Sequence, residues 1–261
     1  MIARVLTVAG SDSSGGAGIE ADLKTITALG AYGCTSITGL TAQNTCGVQD
    51  VYPVPAEFVA LCMSAVISDI GVDAIKLGML TNARIIHAVA KTLPSDVPVV
   101  LDPVMVSTSG AALLPDEAVS ALVEALLPQA TLITPNLPEA ARLTGLPVET
   151  PAQRLEAGRR LLAMGAQAAL IKGGHGNEPE LTDLLITRQD VVSITLPRLE
   201  SRNTHGTGCT MSSAIATGLA QGLSLEAAVR RARLYLHAAI ASAPGIGAGH
   251  GPVNHLAHAP A

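Results

Sequence analysis

Tryptophan is absent, phenylalanine occurs once and tyrosine three times in 261 residues. A core so poor in aromatics must be built from Ala, Leu, Val and Ile, which suits a sheet covered by helices on both faces. Charge is sparse too, at 14% of residues against 48% hydrophobic, and that balance excludes global disorder. Basic residues are outnumbered, and the net charge of −5 speaks against a nucleic-acid partner, whose binders usually carry a basic patch. An anionic substrate stays open, because a few N–H groups and one lysine can hold a phosphate. The cysteines at 34, 46, 62 and 209 show no C-x-x-C spacing, which argues against a disulfide framework or a zinc site. No G-x-G-x-x-G follows the first strand, so a Rossmann dehydrogenase is excluded; no G-x-x-x-x-G-K-[ST] occurs, so a Walker-A kinase is excluded. The uncharged stretches Ala31–Gln49 and Gly206–Leu225 are dense in Gly, Thr, Ser and Gln and read as buried strands or glycine turns, not membrane spans. Residues 1–10 are too short for a signal peptide. The expectation is a soluble, cytoplasmic protein with no membrane or nucleic-acid partner.

What is present alternates. Apolar runs predict strands over Ile2–Ala9, Thr35–Thr41, Asp73–Leu77, Val97–Leu101, Ala130–Thr134 and Ala168–Lys172, and a strand pair over Leu181–Thr187 and Val191–Leu196. Helical spacing is found over Ile19–Leu29, Pro55–Asp69, Asn82–Thr92, Asp116–Leu127, Pro138–Thr144, Arg154–Met164, Thr210–Gln221 and Leu225–Ala243. This order predicts one α/β domain over residues 1–261, with a doubly wound, mainly parallel central sheet flanked by helices on both faces. The Gly-, His- and Pro-rich tail from Pro244 is expected to cap it, and a metal role for His250, His255 and His258 is disfavoured.

Ligands of such sheets sit beyond the carboxyl ends of the strands. Polar and glycine residues collect there: Gly10–Asp12, Gln43-Asn44, Gly78-Met79, Asp102–Val104, Asn136–Glu139 and Lys172–His175. Gly206-Thr207-Gly208-Cys209 allows a tight turn into a helix at about Thr210, whose N–H groups and dipole make an anion site. At that position the Cys209 thiol is expected to have a lowered pKa. It can then serve as a base toward an alcohol or line a pocket.

Thr204-His205-Gly206-Thr207-Gly208-Cys209 resembles the signature of the hydroxymethylpyrimidine and phosphomethylpyrimidine kinases, a branch of the ribokinase-like superfamily. Most ribokinase-type enzymes carry Asp where this branch carries Cys. The resemblance runs along nearly the whole chain. It includes Gly10-Ser11-Asp12, Ser14-Gly15-Gly16-Ala17-Gly18-Ile19, Ala21–Thr25, Ala42-Gln43-Asn44-Thr45, Lys76–Leu80, Leu101–Met105, Thr134–Ala140, Lys172–His175 and Gly249–His255. Ser13 stands where Pro is common and Glu20 where Gln is common.

The resemblance implies an ATP-dependent kinase of thiamine biosynthesis. It would phosphorylate 4-amino-5-hydroxymethyl-2-methylpyrimidine and then the monophosphate, with Mg²⁺, as a homodimer. The Gln43 amide offers a donor and an acceptor to an aminopyrimidine; by itself, a Gln at a strand end reads more readily as a backbone cap. Asp22 would hold the substrate's amino group or hydroxyl, although an Asp in a first helical turn is by itself more often a helix-dipole residue, and Gly10, Met79 and Val104 would be further pocket walls. Asn136 and Glu139 resemble the Asn-x-x-Glu pair that organises magnesium through water, although the same pair is a helix cap. Asp102 would assist through water, and Lys172 would reach the ATP phosphates as a point charge. Cys209 would take the hydroxyl proton while the N–H groups of Gly206–Cys209 stabilise the moving phosphoryl. A pyridoxal kinase of the same superfamily is the alternative, and a non-catalytic pyrimidine-binding module a further one.

Overall fold

The computed structural model describes residues 1–106, 110, 113–174 and 179–257. Among these residues, nine strands form one sheet: β1 (Arg4–Asp12), β2 (Tyr32–Asn44), β3 (Gly47–Pro53), β4 (Ala74–Leu77), β5 (Val99–Leu101), β6 (Leu132–Ile133), β7 (Ala168–Ile171), β8 (Glu180–Thr187) and β9 (Val191–Pro197). Their spatial order is β3-β2-β1-β4-β5-β6-β7-β8-β9. The middle, β2 to β7, is parallel, and each edge is closed by antiparallel pairing, β2 with β3 and β7 with β8 with β9. The mainly parallel, doubly wound sheet expected from the alternating pattern is therefore the observed one.

Side chains alternate across the sheet, and each face packs its own helices. Leu6, Val8, Ile75, Leu77 and Leu101 pack under α2 (Ala56–Asp69), α3 (Ala83–Thr92), α4 (Asp116–Ala121), α5 (Leu137–Thr144) and α6 (Pro151–Ala163). Val5, Ala74, Val100 and Leu132 pack under α1 (Gly18–Ala28), α7 (Thr207–Ala220) and α8 (Leu225–Ala241). Helix starts are set by side chains that cap free N–H groups. Asn82, Asn136, Thr150 and Ser224 each accept a backbone N–H of the first turn. None of the described helices is long and apolar enough to cross a membrane.

Several elements differ from the sequence reading. β3 went unread because its residues are largely exposed and carry no continuous apolar run. Pairing with it carries β2 on to Asn44, so Gln43 lies in a strand rather than after one. The Asn44 carboxamide oxygen accepts the N–H groups of Cys46 and Gly47 and shapes the turn between the two strands. The helix read over 116–127 is regular only to Ala121; it widens over Leu122–Leu126 and ends in a tight turn containing Pro128. The last long pair begins earlier than expected, with α7 starting at Thr207 rather than at Thr210.

Chain order fixes where the crevice lies. From β1 the chain goes to β2 on one side, while β4 occupies the other side, so the direction of winding reverses at β1 and β4. The ends of these two strands, Gly10–Asp12 and Gly78-Met79, form the switch point at which such sheets bind ligands.

Candidate active site

A cavity of about 680 Å³ opens at the carboxyl ends of the parallel strands. Of the residues singled out by the sequence, it is lined by Gly10, Gln43, Met79, Asp102, Val104, Asn136, Glu139, Lys172, Gly206, Thr207, Gly208 and Cys209. They come from both sheet-end loops and the start of α7, separated by up to two hundred residues of chain. His175 and His258 lie outside the described residues.

At one end is the start of α7. Gly206 holds the cap position at φ 77°, a left-handed conformation in which a Cβ would also collide with the Gly16 carbonyl. Only glycine meets both demands. Because the helix starts at Thr207, the N–H groups of Gly208 and Cys209 have no helical carbonyl to donate to, while the Thr207 N–H donates to Thr204 O at 3.3 Å, and this first turn is a cradle that an anion can enter. Gly206→Ala is expected to cost roughly 1–3 kcal/mol in backbone strain alone. Chemical denaturation would read that loss.

Next to the cradle, Lys172 Nζ donates to Asp102 at 3.0 Å, with Asp102 2% exposed. Thr134 and Ser212 hydroxyls also donate to Asp102, at 3.2 and 3.4 Å. A Cβ on Gly208 would stand 3.2 Å from the Asp102 carboxylate and 3.5 Å from Lys172 Nζ, so the pair borders the cradle directly. Burial disfavours the Lys172 ammonium, but Asp102 and Glu139 hold its pKa above the usual lysine range.

Glu139 and Asn136 form a complete capping box: Asn136 Oδ1 accepts the Glu139 N–H at 2.9 Å and Glu139 accepts the Asn136 N–H at 2.8 Å. The cap that the spacing allowed is therefore present. Burial pushes the Glu139 carboxyl up to about 7, Lys172 pulls it down, and Asp102 adds to the rise. Two buried carboxyl groups thus face one ammonium, with Glu139 only partly ionised at neutral pH, and a divalent cation there would favour its ionised form. No group of three or more His, Cys, Asp or Glu among the described residues forms a ready metal cage. Magnesium, which keeps several waters and uses few protein ligands, is compatible with that sparse set.

A carboxyl whose folded pKa lies above its unfolded value favours folding at low pH, and that contribution is lost as pH rises through the folded value. Glu139→Gln is therefore expected to stabilise the ligand-free protein at pH 8 relative to the parent. The difference should shrink as pH falls from 7 toward 4.5, which denaturant titrations at several pH values would show.

Two expectations are corrected. The first concerns Cys209. The thiol lies in the first turn of α7 and receives the Gly18 N–H, yet burial pushes it up to about 11. Lys76 lowers it, while Asp22 and Asp102 raise it further. Desolvation in a closed pocket outweighs the helix terminus, so the thiol is protonated at neutral pH.

The second concerns Asp22. It is absent from the cavity wall and fully buried, and its carboxylate is already engaged. Lys76 Nζ donates to both oxygens at 2.9 and 2.7 Å, Thr7 donates at 2.5 Å and Ser213 at 2.6 Å. Direct contact with a substrate amino group or hydroxyl is not the role this geometry gives it. Asp22 instead compensates a fully buried lysine behind Cys209.

Sequence reasoning also passed over several residues. Asp183 and Arg233 were not singled out at all, and Asp12 and His205 stood in the motifs without a role of their own; all four line the cavity. Asp183 accepts the Gly173 N–H at 2.8 Å and stands 3.0 Å from Arg233, tying the loop after Lys172 to β8 and α8. A charged residue inside an otherwise apolar strand was the available signal for Asp183. The tail is fixed to the same region: His205 N–H donates to Gly251 O, His250 N–H to Thr45 O, and Tyr235 Oη to His255 O at 2.7 Å. It caps the domain, as expected.

A family model described as phosphomethylpyrimidine kinase matches residues 12–254. The chain belongs to the phosphomethylpyrimidine kinase family. It is 51% identical over 260 residues to the hydroxymethylpyrimidine/phosphomethylpyrimidine kinase of Rhizobium meliloti, covering 98% of each. It is 53% identical over 254 residues to the thiamine biosynthesis bifunctional protein ThiED of Geobacter sulfurreducens, where it spans 97% of its own length and 52% of that protein. Among solved structures, pyridoxal kinase from Staphylococcus aureus in complex with AMP-PCP and pyridoxal superposes with a TM-score of 0.91 at 33% identity, covering 99% and 95% of the two chains. The phosphomethylpyrimidine kinase family and its ribokinase-like fold agree with the resemblance carried by the sequence motifs, and the chain is a kinase.

Proposed function

We propose that this kinase transfers the γ-phosphoryl of ATP to the hydroxymethyl group of 4-amino-5-hydroxymethyl-2-methylpyrimidine and then phosphorylates the monophosphate to the diphosphate. The observation that carries it is the α7 anion cradle, with Cys209 inside it and the Lys172–Asp102 pair at its edge. Phosphoryl transfer needs positioning and charge stabilisation more than covalent chemistry, and these parts supply both. Gln43, Gly10, Met79 and Val104 hold the ring. Lys172 binds the transferred phosphate oxygens, and the N–H groups of Gly206–Cys209 face the charge that develops on them. Asn136, Glu139 and Asp102 would hold magnesium through its water shell, and the cation supplies neutralisation of the phosphate charge when bound. Cys209, as thiolate, accepts the hydroxyl proton of the first acceptor.

The rest of the reading follows the family: a cytoplasmic homodimer with ATP and a small pyrimidine as its partners. The test is a coupled ATP assay on the hydroxymethylpyrimidine, its monophosphate and pyridoxal, each with and without Mg²⁺. Magnesium-dependent turnover of the first two, well above pyridoxal, is the expected result. Turnover of pyridoxal alone would transfer the protein to the activity of its structural neighbours, and no turnover of any would leave a binding module.

A further inference from the structure

Two groups compete for one nitrogen of His205. Its Nε2 lies 2.8 Å from Asp12 Oδ2 and 3.0 Å from the Gln43 side-chain nitrogen. An imidazole nitrogen either donates or accepts in a given state. Asp12 decides which. Its Oδ2 accepts the N–H groups of Gly16 and Ala17, at 3.0 and 2.8 Å, and its Oδ1 accepts the Ser14 N–H at 2.8 Å. Burial works against this carboxylate, but hydrogen bonds from His205 and Ser14 outweigh it and bring the carboxyl down to about 2. A lone pair on Nε2 would face that anion at 2.8 Å, so Nε2 carries the proton and donates to Asp12.

That single hydrogen can be shared with a second acceptor in a three-centre bond, and the end of Gln43 lies 3.0 Å from the same nitrogen. An NH₂ group there would set two donors against each other at 3.0 Å. Amide oxygen and nitrogen are nearly isosteric and are told apart by their partners, and these partners require the oxygen beside His205. Ser13 holds the Gln43 backbone through bonds at 2.9 and 2.8 Å, which fixes the point from which the side chain reaches His205. One lone pair of the amide oxygen is then committed to His205. The other lone pair, with the NH₂ beside it, forms an acceptor–donor edge on the cavity wall.

We propose that His205 is a positioning residue that fixes the order of acceptor and donor on Gln43 and thereby selects rings with an exocyclic amine next to an unprotonated ring nitrogen. The amine donates to the Gln43 oxygen and the ring nitrogen accepts from its NH₂. A ring bearing an exocyclic carbonyl next to a ring N–H presents the reverse order. It is served only by the flipped amide, which sets NH₂ against the His205 N–H. Selection therefore comes from a clash built against the wrong partner as well as from contacts to the right one. The inference rests on the reading that Gln43 binds the ring.

The test compares kcat/KM for the 4-amino substrate and its 4-oxo counterpart in the parent, Gln43→Leu, His205→Phe and His205→Gln. In His205→Phe, which cannot donate, the amino-to-oxo ratio is expected to fall about tenfold, with most of the change in KM, as loss of one directing hydrogen bond implies. His205→Gln, whose amide can donate, should recover part of the ratio. Equal losses on both substrates, or an unchanged ratio, would overturn the proposal. If His205→Phe does not fold, His205→Leu, which also has no donor, carries the same comparison. Gln43→Leu separates the two levels: unchanged kinetics there would remove the ring-binding reading itself, whereas loss in Gln43→Leu with an intact ratio in the His205 variants defeats only the role of His205.

Discussion

Cys209→Ala is expected to slow phosphorylation of the hydroxymethyl substrate by about 10²–10³-fold, the lower part of the range for a general base, and phosphorylation of the monophosphate by much less. The asymmetry follows from the acceptors. An alcohol must lose its proton on the way to attack, whereas a phosphate monoester, with its second pKa near 6, is already largely ionised at neutral pH. Placement at the lower end follows from the thiol, pushed up to about 11 by burial, so that the thiolate is a small minority at pH 7. The same fact gives a pH signature. For the alcohol step, log(kcat/KM) should climb with pH between 7 and about 10, because a group with a raised pKa gains its charged, basic form late. In Cys209→Ala that climb should vanish. Equal losses in both steps, with the slope retained, would mean that Cys209 lines the pocket and moves no proton.

The second large effect is on stability. Lys76→Met is expected to cost about 3–5 kcal/mol, the usual penalty for removing one partner of a buried ion pair. Lys76 and Asp22 are both fully buried, and Asp22 would keep its charge with only Thr7 and Ser213 as donors. Burial alone disfavours the Lys76 ammonium, but Asp22 more than reverses this and keeps it charged. Chemical denaturation would measure the loss, and Lys76→Met with Asp22→Leu should recover much of it by removing the stranded charge. A Lys76→Met variant within 1 kcal/mol of the parent would show that the carboxylate simply takes up a proton at little cost.

That pair also shows what a sequence can convey. Alternation of apolar runs and helical spacings was enough for the sheet, because the central strands are buried on both faces and read mostly as apolar stretches. Strand β3 escaped for the opposite reason, since an exposed edge imposes no apolar pattern. Residues that line the cavity were legible where a motif marks them at or near a strand end, as with Gln43, Asp102 and Lys172. Asp22 was assigned to the ligand because nothing along the chain reveals that Lys76, fifty-four residues later, already holds it. The Cys209 pKa went astray on similar grounds: a helix terminus is visible in sequence, but the depth of the pocket around it is not. Asp12 and His205, 193 residues apart, form a pair only through the fold.

The anchoring of the tail also bears on how the protein can be watched. The chain has no tryptophan, and two of its three tyrosines, Tyr32 and Tyr52, are exposed. The third, Tyr235, is sealed from solvent, and its hydroxyl is held by the carbonyl of His255. A rigid, asymmetric setting belongs to that ring alone, so the near-ultraviolet dichroism of the protein should come chiefly from one residue, and detachment of the C-terminal strap should appear as an optical signal without any added label.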